Sequence, residues 1–258
     1  MYDLNGKVTL ITGVSGGIGA ATAVLFARLG AKLALTGRNE ANLQRTMEKC
    51  VSVRPDAEQQ LLVADMCSEA DVARLVDTTI KKVGRLDILV NNAGIYEFGT
   101  IETTSLEQYD RVMSVNVRAI YQLTMLCVPH LIPTRGNIVN VSSLAGTRHF
   151  AEILAYSMSK AALDQMTSCT ALELASKGVR VNSVNPAVID TELHKRAGIA
   201  VDAYAEYLEY IKTTHPLGRV GEAEEVAQAI AFLASSNASF ITAEHLHIDG
   251  GKHAACLR

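Results

Sequence analysis

Seven short segments that are apolar at nearly every position recur along the chain, and longer segments with a helical period separate them. Strands of this kind are buried on both faces, which is typical of a parallel sheet that lies between two layers of helices. Strand–helix repetition with right-handed crossovers gives a doubly wound α/β fold. The predicted strands are residues 7–12, 32–36, 60–64, 86–91, 136–141, 179–184 and 246–248.

The chain of 258 residues contains no linker, low-complexity stretch or short repeat, so we expect a single domain over residues 1–258. One segment, at about 190–221, has no clear strand and holds Tyr204 and Tyr207, three positions apart. Long loops in compact domains are often lids over a binding site. We predict a substrate lid here, and a surface helical insertion is the alternative.

Composition and charge exclude several classes of partner. The net charge is −3, so there is no basic excess to attract nucleic acid or an anionic membrane. The N-terminal residues lack a signal-peptide pattern, and no run of about 18 apolar residues indicates a membrane helix. The five cysteines are odd in number and form no C-x-x-C pair, which indicates reduced thiols. We expect a cytoplasmic protein without a metal site.

The sequence TGVSGGIG at residues 12–19 follows the first predicted strand and opens a helical segment. Glycines at such a turn permit positive φ angles and let the backbone approach a pyrophosphate. The following helix points its free N–H groups at that anion. We predict a dinucleotide site here, and a plain turn is the alternative. The candidate residues are Gly13, Ser15, Gly16, Gly17, Ile18 and Gly19.

The end of the second predicted strand bears on which dinucleotide is bound. A carboxylate there favours NAD(H), whereas an arginine suits the 2′-phosphate of NADP(H). The strand ends at Gly37, and Arg38, which can hold a phosphate with two hydrogen bonds, follows at once. The sequence therefore favours NADP(H) and leaves NAD(H) possible. The alternative is that Asn39 caps a helix and Arg38 is only solvated.

Six motifs, in order along the chain, resemble those of the short-chain dehydrogenase/reductase family. They are TGVSGGIG, Asp65 after the third strand, NNAG at 91–94, VSS at 141–143, Tyr156-x-x-x-Lys160 and NPAVIDT at 185–191. The resemblance extends from residue 5 to DGG at 249–251, and the chain looks nearest to the 3-oxoacyl-acyl-carrier-protein reductases of the family. It implies a Rossmann fold with a mostly parallel seven-stranded sheet, in the order 3-2-1-4-5-6-7, and helices on both faces.

The resemblance also implies the roles of individual residues. The catalytic set it implies is Asn116, Ser143, Tyr156 and Lys160. Asp65 would bond the adenine amino group. The other implied cofactor contacts are Met66, Asn92, Ala93, Gly94, Tyr156, Lys160, Pro186, Ala187, Ile189 and Thr191. The chain departs from the family at Ala187 and Ala243, where glycine is usual, so the local backbone geometry at both positions is open.

Tyr156 and Lys160 are four positions apart, which places them on one face of a helix. A free tyrosine loses its proton near pH 10, too high for a good general base at neutral pH. We expect the ammonium of Lys160, together with an oxidised nicotinamide ring, to lower the pKa of Tyr156. The alternative is a solvated surface pair that contributes little.

Residues after the strand ends are expected to form the substrate pocket. Ser143 and Tyr156 would contact the reacting oxygen, and most other candidates are apolar or aromatic. We therefore predict a lipophilic ketone or secondary alcohol, such as a steroid, terpenoid or 3-oxoacyl compound. His149 either touches the substrate or lies on the rim. The candidates are Ile95, Tyr96, Glu97, Phe98, Ala145, His149, Phe150 and Ile153.

We expect the protein to form a homotetramer. Members of the family are commonly homotetramers, and segments 105–130 and 152–177 carry apolar residues over a wide arc, which suits helices that pair across a two-fold axis. The rival is a redox sensor or scaffold that binds NADP(H) without turnover. The presence of all four catalytic residues favours an enzyme.

Overall fold

A computed structural model of the protein describes residues 2–56, 58–193, 197 and 201–255. Its seven strands form one sheet in the order β3-β2-β1-β4-β5-β6-β7, and every neighbouring pair is parallel. The predicted sheet order is therefore confirmed. The strands are β1 (Val8–Thr12), β2 (Lys32–Gly37), β3 (Gln59–Val63), β4 (Ile88–Asn91), β5 (Asn137–Val141), β6 (Arg180–Pro186) and β7 (His245–Ile248).

Helices cover both faces of this sheet. Those between the strands often begin at a side-chain cap: Asn39 accepts a hydrogen bond from the backbone of Asn42, and Ser68 from that of Asp71. The helices are α1 (Gly17–Arg28), α2 (Glu40–Val53), α3 (Glu69–Val83), α4 (Leu106–Met113), α5 (Ala119–Leu131), α6 (Leu154–Ala175), α7 (Val201–Thr214) and α8 (Ala223–Ala234).

Two apolar layers hold the helices on the sheet. One layer includes Phe26 of α1 and Val226 of α8, both fully buried. The other layer, on the opposite face, includes Leu75 of α3 and Leu123 of α5. Alternate residues of β1 face the two layers, since Leu10 belongs to one and Ile11 to the other. Burial on both sides explains why the strands are apolar at almost every position.

A wide turn joins α4 to α5. Residues Ser114–Arg118 form a π-helical turn, and Asn116 in its middle is fully buried. Such turns arise from one extra residue in a helix and are frequent at functional sites.

Helix α7 occupies much of the predicted lid. Residues 194–196 and 198–200 of that segment lie outside the described residues.

No helix in the described part of the chain is long and apolar enough to cross a membrane. The four described cysteines, Cys50, Cys67, Cys127 and Cys169, are free thiols. Cys256 lies outside the described residues.

Candidate active site

A cleft of about 1810 Å³ opens at the carboxyl ends of the strands. Parallel sheets of this topology bind ligands there, where neighbouring crossovers leave in opposite directions. Every residue predicted to bind the cofactor lines this cleft except Gly19. Gly19 instead lies behind the turn, where an added Cβ would overlap the Asn92 side chain and the Gly13 carbonyl. It lets helix α1 start close to the strand ends.

The turn between β1 and α1 can hold a pyrophosphate. Gly13 and Gly17 have φ angles of 71° and 55°, and a Cβ on Gly13 would lie 2.8 Å from Asn92 Nδ2. The Ser15 hydroxyl is buried and has no hydrogen-bond partner among the described residues. A buried hydroxyl of this kind is costly unless a ligand satisfies it. The orphaned hydroxyl and the bare glycine backbone both fit a bound dinucleotide phosphate.

Thr12 fixes the neighbouring loop after β4. Its hydroxyl accepts hydrogen bonds from the backbone N–H groups of Asn92 (3.0 Å) and Ala93 (2.9 Å). The Asn92 side chain donates back to the Thr12 carbonyl at 2.8 Å. These bonds hold the ends of β1 and β4 together beneath the cleft, so the NNAG loop is rigid where a cofactor would pass.

The end of β2 carries no carboxylate. Gly37 is buried, and a Cβ there would lie 2.5 Å from Ser15 Oγ. Asn39 caps α2, as the alternative interpretation expected. Arg38 also lines the cleft, is exposed and makes no ion pair with any described residue. The cap belongs to Asn39 and leaves the Arg38 guanidinium available. A phosphate-binding Arg38 and a solvated Arg38 are therefore both compatible with the structure.

Tyr156 and Lys160 lie on the same face of α6 and both line the cleft. Lys160 Nζ is 5.7 Å from the centre of the Tyr156 ring and donates to the Val141 carbonyl at 2.9 Å. The side chains are 7% and 4% exposed, so the alternative of a solvated surface pair is wrong.

Burial sets the pKa values of this pair. Burial raises the pKa of Tyr156 to about 12, and a hydrogen bond with Ser143 opposes this effect only in part. Burial lowers the pKa of Lys160 to about 8, partly opposed by Asp164. In the protein without a bound cofactor, desolvation of the phenolate is thus the larger effect, and the expected lowering of the Tyr156 pKa by Lys160 together with an oxidised nicotinamide stays a prediction. At neutral pH, Tyr156 is a proton donor beside a charged amine.

Ser143 and Asn116 come to the same wall from other elements. Ser143 follows β5, and its hydroxyl accepts from the Ala145 N–H at 3.1 Å, so it does cap a short turn while lining the cleft. The Asn116 side chain bonds both backbone groups of Ile95 and donates to Ser159 Oγ. A Cβ on Gly94 would lie 3.3 Å from Asn116 Oδ1 and 3.6 Å from Lys160 Nζ, so Gly94 leaves space between these two groups.

The wall beyond Tyr156 is aromatic. The Tyr96 ring meets that of Tyr156 edge-on at 4.7 Å and that of Phe98 at 5.1 Å. His149 and Phe150 line the cleft and are exposed. Glu97 does not belong to the pocket, because it points away and pairs with Arg111 at 2.7 Å.

Several residues of the cleft were not predicted. Arg148 and Lys252 line it, whereas Thr214, Tyr207 and Tyr210, which also line it, belong to the predicted lid. Lys252 directly follows the DGG sequence and Arg148 follows VSSLAGT, and neither belongs to a residue pattern that indicates a site. Their proximity depends on the tertiary fold alone.

Helix α7 is fastened beside the cofactor side of the cleft. The Tyr204 hydroxyl donates to Asp190 Oδ1 (3.0 Å) and to the Thr191 carbonyl (3.2 Å). Its ring stacks on that of Tyr207 with centres 6.3 Å apart. The two tyrosines three positions apart therefore pack on each other and cover the strand-end loop.

The two departures from the family differ in strain. Ala243 adopts a φ of 62°, the left-handed region that glycine occupies without cost. Ala187 is not among the described residues with positive φ, and it lines the cleft. Only the first alanine is therefore strained.

Comparisons with known proteins agree with this geometry. A family model described as enoyl-(acyl carrier protein) reductase matches residues 13–253. The chain is 39% identical to an uncharacterized oxidoreductase of Thermotoga maritima, over 98% of this chain and 99% of that one. It is 37% identical to a 3-oxoacyl-acyl-carrier-protein reductase of the same organism, over 96% and 98% of the two chains.

A solved structure is equally similar. The short-chain dehydrogenase/reductase of unknown function from Caenorhabditis elegans, determined with cofactor, superposes with a TM-score of 0.92 at 35% identity. The match covers 98% of this chain and 97% of that one. The chain therefore belongs to the short-chain dehydrogenase/reductase family, and it is an oxidoreductase of the kind that uses a nicotinamide cofactor.

Proposed function

We propose that this protein is an NADP(H)-dependent oxidoreductase that interconverts a lipophilic ketone and its secondary alcohol. The observation that carries the proposal is the buried Tyr156–Lys160 pair on the wall of the cleft, next to Ser143 and to the glycine turn. An enzyme of this kind needs a proton donor, an oxygen-binding group and a dinucleotide site within one cleft.

The cofactor preference rests on the end of β2. Gly37 provides no carboxylate for a ribose hydroxyl, and the exposed Arg38 guanidinium lines the cleft without an ion-pair partner among the described residues. A guanidinium without a carboxylate partner is suited to a 2′-phosphate. Asp65 and Met66 line the cleft at the adjacent strand end and would contact the adenine.

The chemistry divides between the cofactor and the protein. When bound, the reduced nicotinamide supplies a hydride to the carbonyl carbon of the substrate. Tyr156 donates its phenol proton to the carbonyl oxygen, and Ser143 Oγ donates a hydrogen bond to the same oxygen. The charge of Lys160 stabilises the phenolate that remains. The product is an alcohol, and Tyr156 must then be reprotonated.

Reprotonation requires a path to solvent. The space beside Gly94 connects Asn116 Oδ1 with Lys160 Nζ, which supports a relay from the amine toward the π-helical turn. With its raised pKa, Tyr156 is protonated at neutral pH, which is the form that ketone reduction requires.

The aromatic wall supports a lipophilic substrate. Tyr96, Phe98 and Phe150 face the cleft, as does Ile153, which is 7% exposed. Helix α7 would close over such a substrate as the lid of a single domain spanning residues 1–258, because Tyr207, Tyr210 and Ile211 line the same space.

We also propose a homotetramer. Large apolar side chains are exposed on two neighbouring helices: Tyr121 (61%) and Met125 (53%) on α5, and Leu172 (75%) on α6. Exposed apolar patches of this kind mark interfaces between proteins. Light scattering that gives the 27.7 kDa mass of one chain would refute this assembly.

Consumption of NADPH at 340 nm, with a panel of aliphatic, cyclic and 3-oxoacyl ketones, tests the function. We expect turnover of at least one apolar ketone, with NADPH used in preference to NADH. Tight binding of NADPH with no turnover across the panel would favour the sensor instead.

A further inference from the structure

The cleft continues past Tyr156 to an end that the proposed chemistry does not use. This far end lies between the last turn of α7 and the chain after β7, where Thr214, Lys252 and Ala255 line it. Arg148 and Phe150 line the same region from the loop before α6. Two cationic side chains thus line a part of the cleft that holds none of the residues proposed to react.

Lys252 is held in place but lacks a carboxylate partner. It is half-buried, its Nζ donates to Thr214 Oγ1 at 2.9 Å, and it lies 5.5 Å from the centre of the Phe150 ring. Among the described residues, no carboxylate is within ion-pair distance of it. Burial lowers the pKa of Lys252, and Asp249 only partly opposes this. Asp249 itself is engaged by His253 Nδ1 at 2.9 Å.

Arg148 lies beside this lysine and is similarly unneutralised. Its guanidinium donates to the Ala255 carbonyl at 3.3 Å, three residues after Lys252. In the described part of the chain it forms no ion pair, and its side chain is exposed. The bond to Ala255 and the Lys252 contact with Phe150 bring both cations to one short stretch of wall.

Acids also line the cleft, among them Glu152 and Glu192. Burial raises the pKa of Tyr96 and Glu152 adds a smaller effect, while the Glu152 backbone carbonyl accepts from the Gly99 N–H. Burial and Asp190 raise the pKa of Tyr204, with a smaller effect of Glu192. Among the described residues, Glu152 forms no ion pair with Lys252 or with Arg148.

We propose that Lys252 and Arg148 bind a carboxylate at the end of the substrate remote from the reacting carbonyl. The inference rests on the proposed function and narrows it, because the substrate becomes an oxo acid whose body between the two groups is apolar. The aromatic wall of Tyr96 and Phe98 contacts the body, and the half-buried ammonium, which pairs with no carboxylate among the described residues, gains a counter-ion. A charge-assisted hydrogen bond to a partly desolvated amine is among the strongest polar contacts that a protein offers.

A matched set of substrates and variants tests this. Straight-chain oxo acids of increasing length and their methyl esters are compared in NADPH-dependent reduction by the wild type, Lys252→Met and Lys177→Met. The last variant is the control, because Lys177 is an exposed lysine that does not line the cleft. Methionine keeps an apolar stem against Phe150 and removes the charge together with the hydrogen bond to Thr214 Oγ1.

We expect the wild type and the control to reduce at least one acid about tenfold more efficiently than its ester, as one charge-assisted hydrogen bond provides. Lys252→Met should remove this preference by lowering kcat/KM for the acid while leaving the ester unchanged. The preference should also weaken at high salt. Equal use of acid and ester by the wild type, or an equal loss for both in Lys252→Met, would overturn the proposal.

Measurements of substrate binding distinguish a failure of the carboxylate site from a failure of the proposed function. Turnover of neutral ketones without any preference for acids refutes only the carboxylate site. Should no ketone be reduced, calorimetric titration of the NADPH-loaded protein with each acid and ester still decides it. Tighter binding of an acid that Lys252→Met abolishes supports the site, and equal binding of acid and ester refutes it.

Discussion

Asn116 and Ile95 exchange two hydrogen bonds: the Asn116 side-chain oxygen accepts from the Ile95 N–H, and its amide donates to the Ile95 carbonyl, both at 2.9 Å. The side chain thus completes the backbone of the loop after β4, at the rim of the cleft. Asn116 is fully buried, so water cannot replace these bonds.

Replacing Asn116 with leucine should destabilise the protein, because two buried backbone groups lose their partners. We expect the free energy of unfolding to fall by about 2–4 kcal/mol, measured by urea denaturation. Ser159→Ala is the matched control, since it removes the third bond of the Asn116 amide and the Ser159 bond to the Tyr156 carbonyl but keeps the Ile95 pairing, and it should cost about 1 kcal/mol. Equal losses in the two variants would contradict this assignment of the Ile95 pairing.

Tyr156→Phe should abolish the proton donor and keep the ring that packs against Tyr96. We expect kcat to fall by about a hundredfold to ten-thousandfold, which is the usual contribution of a general acid. Binding of NADPH, measured by calorimetry, should remain within a few-fold of the wild type. Substantial residual turnover would show that another group protonates the substrate.

The pH profile should report the Lys160 amine. Its pKa of about 8 means that the positive charge beside Tyr156 is lost above that pH, so kcat/KM for reduction should fall there. A profile that stays flat to pH 10 would exclude this role for the amine. Deprotonation of Lys160 does not unfold the protein. Between pH 8 and its ordinary pKa of 10.5, Lys160 is more protonated in the unfolded chain than in the folded protein. Its contribution to the free energy of unfolding therefore rises with pH. Circular dichroism at each pH provides the check.

Arg38→Asp should reverse the cofactor preference. The carboxylate repels a 2′-phosphate and can bond ribose hydroxyls, so KM for NADPH should rise and KM for NADH should fall, each by about tenfold or more. Arg45→Asp is the control, because Arg45 is exposed on helix α2, which begins just after Arg38, and does not line the cleft. If both variants keep the wild-type ratio of kcat/KM for the two cofactors, Arg38 does not select between them.

Ala243→Gly should stabilise the protein. Glycine removes the strain of the left-handed backbone at this position, and this gain exceeds the entropy cost of ordering a glycine on folding. We expect the free energy of unfolding to rise by about 1 kcal/mol. At Ala187, which has no positive φ, the same change should instead cost about 0.5–1 kcal/mol. Thermal denaturation of both variants measures the difference, and a loss of stability in Ala243→Gly would show that the methyl packing outweighs the strain.

Much of the architecture was predictable because the sheet is buried on both faces. Each strand therefore has a continuous apolar run, and the predicted limits agree with the structure to within about two residues. The strand predicted to begin at residue 86 begins at Ile88, and the carboxylate of Asp87 before it accepts from Arg85 and from the Val8 N–H. That Ser143, Tyr156 and Lys160 line one cleft was predictable from motif spacing, since that spacing reflects a fixed order of strand ends, and their catalytic roles stay predictions.

Other features of the site have no local signature. The direction of the Tyr156 and Lys160 pKa shifts depends on desolvation by residues from several elements, which a four-residue spacing does not reveal. Lys252 and Arg148 are about a hundred positions apart in sequence and meet only through the completed fold. The π-helical turn is defined by backbone hydrogen bonding, and SVNVR contains no residue type that requires it.

That turn has a consequence for how the chain can vary. An α-helix rotates by roughly 100° per residue, so the one additional residue in Ser114–Arg118 sets the direction in which Asn116 points relative to α4. Deleting Val115 would restore an unbroken helix with better backbone geometry and would swing the amide away from Ile95. A deletion in this helix is therefore expected to cost activity even where it would improve the helix itself, and an engineer who straightens it to gain thermal resilience should expect to lose the enzyme.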